Sequence, residues 1–308
     1  MKNIYREVNP KEIHFTESHK LLLSGVSPRP IAFVGTQDSF GNDNLAPFSF
    51  FNAFGANPPT IAISPALRGT DGKKKDTLLN ILELKEFTVS NVSFNMVEQM
   101  SLASTDYSKG TDEFVKSGFS KLESTIIKPF GVLEAPMVME CILKQHLELG
   151  GLPGSGNLLI GEVVMFHVKE DMFTGKYLDY SKLDLVARMG GANYSRANFD
   201  SVFTLEQPKT QGIGFDNLPE FISKSKNFSK NELAKLASVT ALPSNNEVMN
   251  FWQDVRKYNN IVSKELLIAL NEIDNKNIVD VDNLIQISKH FIHSDVIKAW
   301  MILLSIDN

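Results

Sequence analysis

Apolar residues along this chain recur in two different rhythms. As far as about residue 210 they come in short runs rich in Val, Ile and Phe, at 31–35, 60–63, 87–92, 138–143 and 158–168, each bounded by turn residues. Short β-branched and aromatic runs between turn residues predict strands. The stretch 45–56 is a further strand candidate, in which Pro47 marks an edge or a bulge because proline donates nothing to a ladder. Helices are few. One is expected over 77–84 with Asp76 as its N-cap, and another opens at Asn95, where Asn-x-x-Glu runs to Glu98. Many short strands with few helices predict a closed or partly closed barrel. A doubly wound parallel sheet would alternate strand and helix.

The rhythm changes near Pro208. Residues 211–217 are polar and Gly-containing and read as a linker. Beyond them Ser229 with Glu232, and Ser244 with Glu247, form two capping boxes in succession. Leu233, Leu236 and Ala237, then Val248, Phe251, Trp252 and Val255, follow helical spacing. Ser263 and Ser294 are N-cap candidates for two more helices. The last, 296–304, is apolar on most sides and must be buried, inside its own segment, on the barrel or on a second subunit. The expected organisation is a mainly β domain over 1–210 and an all-α extension over 211–308.

Composition narrows the function classes. Of the 308 residues 43% are hydrophobic and 22% charged, an ordinary core-forming balance. The net charge of −5 provides no overall field for nucleic acid or anionic membrane, so any anion site must be local. No apolar run reaches the length of a membrane span, and the first ten residues carry charges without an apolar h-region. A single cysteine, Cys141, lies in a strand run and reads as a core thiol, which fits a reducing cytoplasm. No P-loop, nucleophile elbow or Cys–His pattern is present. The glycine-rich 151–156 lies between two strands and reads as a hairpin loop, not a dinucleotide fingerprint. His290 and His293, with Asp295 near them, read as surface histidines rather than metal ligands.

Candidate chemistry is concentrated in residues 27–80. Phe48, Phe50, Phe51 and Phe54 are interleaved with Ser49 and Asn52, a flat apolar wall with hydrogen-bonding groups set into it. An isoalloxazine ring, apolar in its plane and polar along one edge, needs that combination. Lys73, Lys74 and Lys75 directly precede a predicted helix N-terminus, where cationic side chains and unpaired N–H groups together favour a phosphate. On these residues alone, a packed core and a solvated lysine loop stay open as the alternative.

The stretch resembles the flavin reductase-like family of FMN-binding split barrels, and most closely its flavoredoxin branch. The resemblance is carried by Ser27-Pro28-Arg29-Pro30-Ile31-Ala32, by 44–52, by Pro58-Pro59, and by Lys75-Asp76-Thr77 with Asn80. Ile160-Gly161-Glu162-Val163 and Arg188-Met189-Gly190-Gly191 with Tyr194 continue it, over roughly residues 10–205 in order. It implies that Arg29, Pro30, Ile31 and Ala32 run along the flavin. Ser49, Phe50, Phe51 and Asn52 would hold ring and ribityl chain, with Ser64 and Asn80 beside them. Lys75, Asp76 and Thr77 would take the phosphate, and Arg188 and Tyr194 complete the set. The resemblance further implies a homodimer with the flavin at the subunit interface, and NADH or NADPH as reductant. The activity expected is an NAD(P)H-dependent FMN reductase. The alternative is a flavoredoxin-like carrier that passes electrons to an acceptor protein. No catalytic side chain is expected, because the cofactor is itself the electron sink. His146, near an expected strand end, is either a nicotinamide-side residue or a surface one. Residues 211–308 have no counterpart in the family.

Overall fold

The computed structural model describes residues 4–205, 207–274 and 280–306. The chain divides into two compact units, Met1–Phe203 and Thr204–Asn308. The first opens with α1 (Phe15–Gly25), β1 (Arg29–Pro30), β2 (Ala32–Gln37), β3 (Asp43–Phe48), β4 (Phe51–Ala56), β5 (Pro59–Ile63), α2 (Asp76–Leu84) and β6 (Glu86–Ser90). It continues through α3 (Val97–Ala103), α4 (Glu113–Ser117), β7 (Lys121–Leu122), β8 (Gly131–Val132), β9 (Met137–Glu148) and β10 (Asn157–Val168). It closes with β11 (Phe173–Thr174), β12 (Tyr177–Leu178), α5 (Tyr180–Leu183), β13 (Leu185–Arg188) and β14 (Tyr194–Ala197).

Seven strands form one antiparallel sheet in the order β3-β2-β6-β9-β10-β5-β4, and β1-β13-β14 form a smaller one. Strand β2 explains why 31–35 reads as an unbroken apolar run. Phe33 faces a core that includes Leu45, Met100, Phe114 and Val138, while Ala32 and Val34 face another with Leu78, Ile81, Phe87 and Leu159. A strand covered on both faces has no polar side to alternate with. Cys141 is fully buried in the second core, and burial pushes its thiol pKa up. The 151–156 segment is the loop of the long β9–β10 hairpin.

Three local expectations are corrected. Residues 45–56 are two strands, with Ser49 and Phe50 bending the chain between them, and Pro47 sits on edge strand β3 opposite Phe33. Asp76 is the first residue of α2, and Lys75, at the N-cap, makes no side-chain cap. Asn95 caps nothing: its Oδ1 accepts the Ser93 hydroxyl at 2.5 Å, and the helix starts later, at Val97. The polar run simply does not reach the amides that the spacing suggested.

One buried carboxylate organises a loop. Glu140 on β9 is fully buried and accepts the backbone N–H groups of Thr125, Ile126 and Ile127 at 2.6, 2.7 and 3.0 Å. His167 Nε2 lies 2.6 Å from its Oε1. Burial pushes this carboxyl up, but the imidazole and the three amides outweigh it, and the net pKa lies below the ordinary range.

The second unit comprises α6 (Glu220–Ser223), α7 (Lys230–Leu236), α8 (Asn245–Lys257), α9 (Lys264–Asp274), α10 (Val281–Ile292) and α11 (Val296–Leu303). Both capping boxes form, at Ser229/Glu232 and Ser244/Glu247. Ser263 Oγ accepts Leu266 N–H at 3.4 Å, whereas Asp295, not Ser294, caps α11. Residues 211–217, expected as a linker, are tied into this unit: Ile213 N donates to Val239 O at 2.8 Å, and Gly214 N to Ala237 O at 3.1 Å. The apolar α11 is buried among the unit's own helices. Trp300 is fully enclosed with Leu233, Leu236 and Ile292 about it, and its Nε1 donates to Leu236 O at 3.0 Å.

Candidate functional site

Edge strand β3 forms one wall of a cleft of about 370 Å³. Its other walls are the loop from Arg68 to Thr70, the start of α2 at Lys75–Thr77, and residues 103–107 after α3, with Glu113 of α4 at one end. The strand contributes backbone at Leu45 and the apolar surface of Ala46, Pro47 and Phe48. Thr77 is nearly fully buried, and its Oγ1 accepts Asn44 Nδ2 at 3.0 Å. Asn44 Nδ2 and Asn80 Nδ2 each donate to Thr36 Oγ1 at 3.1 Å, which pins the first turns of α2 to β2 and β3.

Charge at this cleft is uneven. Lys73 and Lys74 turn to Asp71 and Glu148, at 3.3 and 3.1 Å. Lys75 has no ion-pair partner among the described residues, and its ammonium lies 5.3 Å from the centroid of the Phe48 ring. It is open to solvent on one side, yet the protein packed around its ammonium, with Arg68 as a second cation, lowers its pKa; Asp106 partly opposes this. Arg68 is held by Asp106 at 2.5 and 2.6 Å. The first-turn amides of α2 have no side-chain cap and open on the same space. An unpaired lysine beside an uncapped helix N-terminus is an anion site in waiting.

A second cleft of about 470 Å³ lies beyond Asn44, Asp76 and Glu113. It is larger, but Asp38, Asp43, Asp76, Glu83 and Glu113 face it against Lys109 alone, a balance that repels a phosphate.

The structure brings Lys75, Asp76 and Thr77 together at the smaller cleft, with Asn80 one turn further along α2. The remaining expected site residues lie elsewhere in the chain. Arg29 is buried, its guanidinium spent on the carbonyls of Leu23, Val26 and Met189 at 2.5, 2.5 and 3.0 Å, and its Nε has no hydrogen-bond partner among the described residues. Burial, with Arg188 adding like charge, lowers its pKa. Pro30 is exposed at the end of β1, and Ile31 and Ala32 are core. Ser49 and Phe50 form the β3–β4 bend, where Phe50 O accepts Ser64 N at 2.8 Å. Phe51 packs on the core, and Asn52 is exposed, its Oδ1 taking Ala53 N at 2.8 Å. Arg188 stacks on Tyr194, 4.6 Å from the ring centroid, and donates to its hydroxyl. His146 pairs with Asn157 Oδ1 at 3.1 Å. Arg68, residues 104–107 and Glu113 line the cleft without having been singled out in the sequence. No local signal marks them, because only the topology carries them to β3.

A family model described as a flavin reductase like domain matches residues 24–184. An uncharacterized protein of Halalkalibacterium halodurans is 34% identical over 204 residues, which is 66% of this chain and 96% of that protein. Among solved structures, nitrilotriacetate monooxygenase component B from Bacillus cereus is 33% identical with a TM-score of 0.62, the match covering 66% of this chain and all of that one. The flavoredoxin of Desulfovibrio vulgaris (Miyazaki F) shares the fold at 24% identity and a TM-score of 0.50, over 59% of this chain and 91% of that one.

Proposed function

This chain belongs to the flavin reductase-like family, with its split barrel in the first unit, and on that footing we propose that it holds FMN in the cleft beside β3 and reduces it with NADH or NADPH. The observation that carries the reading is Lys75, a cation without an anion, at the uncapped N-terminus of α2 and against the Phe48 ring. A cleft of about 370 Å³ falls within the usual range for small-molecule sites. Lys75, Thr77 and the α2 amides would bind the phosphate, with Asp76 and Asn80 fixing that turn. The β3 backbone and Phe48 would orient the ring and keep water from one face. Bound FMN supplies the electron acceptor, so the protein's part at hydride transfer is orientation and tuning.

A homodimer is part of this reading. Helix α1 has no buried residue in the protomer although Leu21 and Leu22 lie on it, and Phe54 on edge strand β4 is 69% exposed. Such surfaces favour a partner. In a dimer, Pro30, Ser49–Asn52, Ser64, Arg188 and Tyr194 of one copy would serve the flavin held beside β3 of the other. The likeness to a monooxygenase component supports transfer of reduced flavin, or its electrons, to a second protein. Among the described residues no helix is long and apolar enough to cross a membrane. The proposed compartment is the cytoplasm, with neither membrane nor nucleic acid as partner.

Two measurements test the function. Flavin released by heat should be FMN, since this reading provides for a single phosphate; mainly FAD at full occupancy defeats the assignment. NADH or NADPH added without air should bleach the yellow protein. A protein that stays oxidised with both is a carrier instead. The second unit should be dispensable for the cofactor, because its cores are its own. Truncation after Pro208 is therefore expected to leave FMN affinity within about threefold of the full chain, under 1 kcal/mol. A folded 1–208 fragment that cannot bind FMN refutes that division of labour.

A further inference from the structure

The residues around the phosphate end of the cleft carry more negative charge than positive. Arg68 and Lys75 face Asp76, Asp106 and Glu113, and Arg68 is already engaged by Asp106. An incoming phosphate adds about 1.5 to 2 further negative charges near neutral pH. Lys75 alone does not balance them.

Glu113 is placed to relieve this. It is partly buried, lies where the two clefts meet, and accepts Leu45 N–H of β3 at 3.0 Å through Oε2. Resting on the reading that FMN sits in this cleft, we propose that Glu113 takes up a proton when the FMN phosphate enters, and so acts as a positioning residue that makes flavin affinity depend on pH. A protonated carboxyl keeps its acceptor for Leu45 and turns its other oxygen into a donor. No bond to the flavin forms or breaks, and the proton comes from solvent.

The surroundings favour the neutral form. Burial is the largest influence and raises the Glu113 pKa; Asp112, the cap of its own helix, and Asp76 on α2 add to this, and the Leu45 amide opposes them. On β3, Asp43 is matched by Lys121 of β7, which also holds Asp112, at 2.6 and 2.7 Å. Before α2 stands Lys75. Across the smaller cleft lies the Arg68–Asp106 pair. In the larger one Asp38 and Glu83 outnumber Lys109. Lys121 is committed to Asp43 and Asp112, so among the described residues lining the smaller cleft no unpaired cation offsets an ionised Glu113 once Lys75 has turned to phosphate.

The test is FMN binding, followed by flavin fluorescence from about pH 5.5 to about pH 8.5, for the wild type and Glu113→Gln, with riboflavin as the ligand lacking phosphate. Wild-type affinity for FMN should fall as pH rises through the Glu113 titration. E113Q should lose that component and bind FMN about 3- to 10-fold more tightly than wild type at the alkaline end. Riboflavin should show neither effect. The phosphate's own second ionisation is common to both proteins and cancels in the comparison. Calorimetry of the wild type in two buffers of different ionisation enthalpy, at about pH 7.5 where the phosphate is already a dianion, covers the case of a poorly folded variant. Net proton uptake with FMN, and none with riboflavin, is expected; no uptake or net release overturns the proposal. Coincident pH profiles of the two proteins also overturn it, and leave the flavin site standing. Failure of both proteins to bind FMN overturns the flavin reading along with it.

Discussion

Lys75→Glu should weaken FMN binding by about 30- to 150-fold, and riboflavin binding by no more than about threefold. The substitution removes a positive charge and adds a negative one opposite a phosphate carrying nearly two, so nearly four unit-charge interactions vanish or are newly unfavourable. Each is worth about 1 kcal/mol at contact distance near a wet surface, and exposure of the lysine and salt screening reduce the sum to about 2–3 kcal/mol. Lys75 carries this effect alone because Lys73 and Lys74 are committed to Asp71 and Glu148. Titration of flavin fluorescence at two salt concentrations checks both parts: the gap between FMN and riboflavin should narrow as salt rises. Equal losses for the two ligands place the phosphate away from α2.

The largest stability loss is expected at Glu140. Glu140→Ala leaves the amides of Thr125, Ile126 and Ile127 and the His167 ring without their acceptor, and should cost about 3–5 kcal/mol. In a unit of this size that lowers the melting temperature by roughly 6–20 °C. Glu140→Gln keeps the shape and one acceptor oxygen and should cost less. The pH dependence has a definite sign. The folded pKa is depressed, so the stabilisation is present above the unfolded glutamate value of about 4.3 and is lost as pH falls through the lower folded value. Denaturant melts of wild type and Glu140→Gln across the acid range should therefore converge as pH falls. Parallel curves would mean that the carboxylate charge contributes nothing.

Much of the architecture was legible because local pattern and tertiary fold agreed. The runs at 60–63, 138–143 and 158–168 became β5, β9 and β10, and the two capping boxes closed as their spacing indicated. Errors came where a residue's partner lies far along the chain or one position away. Asp76 and Asn95 looked like caps, but their side chains do not accept the amides in question. The 45–56 run hid a bend, since nothing at Ser49 and Phe50 announces that the strands part to opposite edges of the sheet. At the candidate site, Lys75 and Thr77 were visible because charge, hydroxyl and helix start are adjacent in sequence. Arg68, Asp106 and Glu113 were not, because β3 meets them only after two separate loops and the start of α4 have returned to it. Glu140 was passed over as one polar letter in an apolar strand, for its partners lie some 15 residues before it and 27 after.

Strand β3 is an open edge, and a row of bare amides there would let another chain zip onto the sheet. On the outward-facing side of β3 that row is broken. Pro47 has no amide hydrogen, and two residues earlier the Leu45 amide is occupied by Glu113. Alternate residues of a strand point their donors the same way, so both gaps fall on one side. Stacking of copies edge to edge into fibrous aggregates is thereby denied its template along the wall of the cleft. The rim of the cleft would thus stay open to the proposed flavin and to a dimer partner's side chains while denying a second strand its ladder, which should matter most when the protein is concentrated.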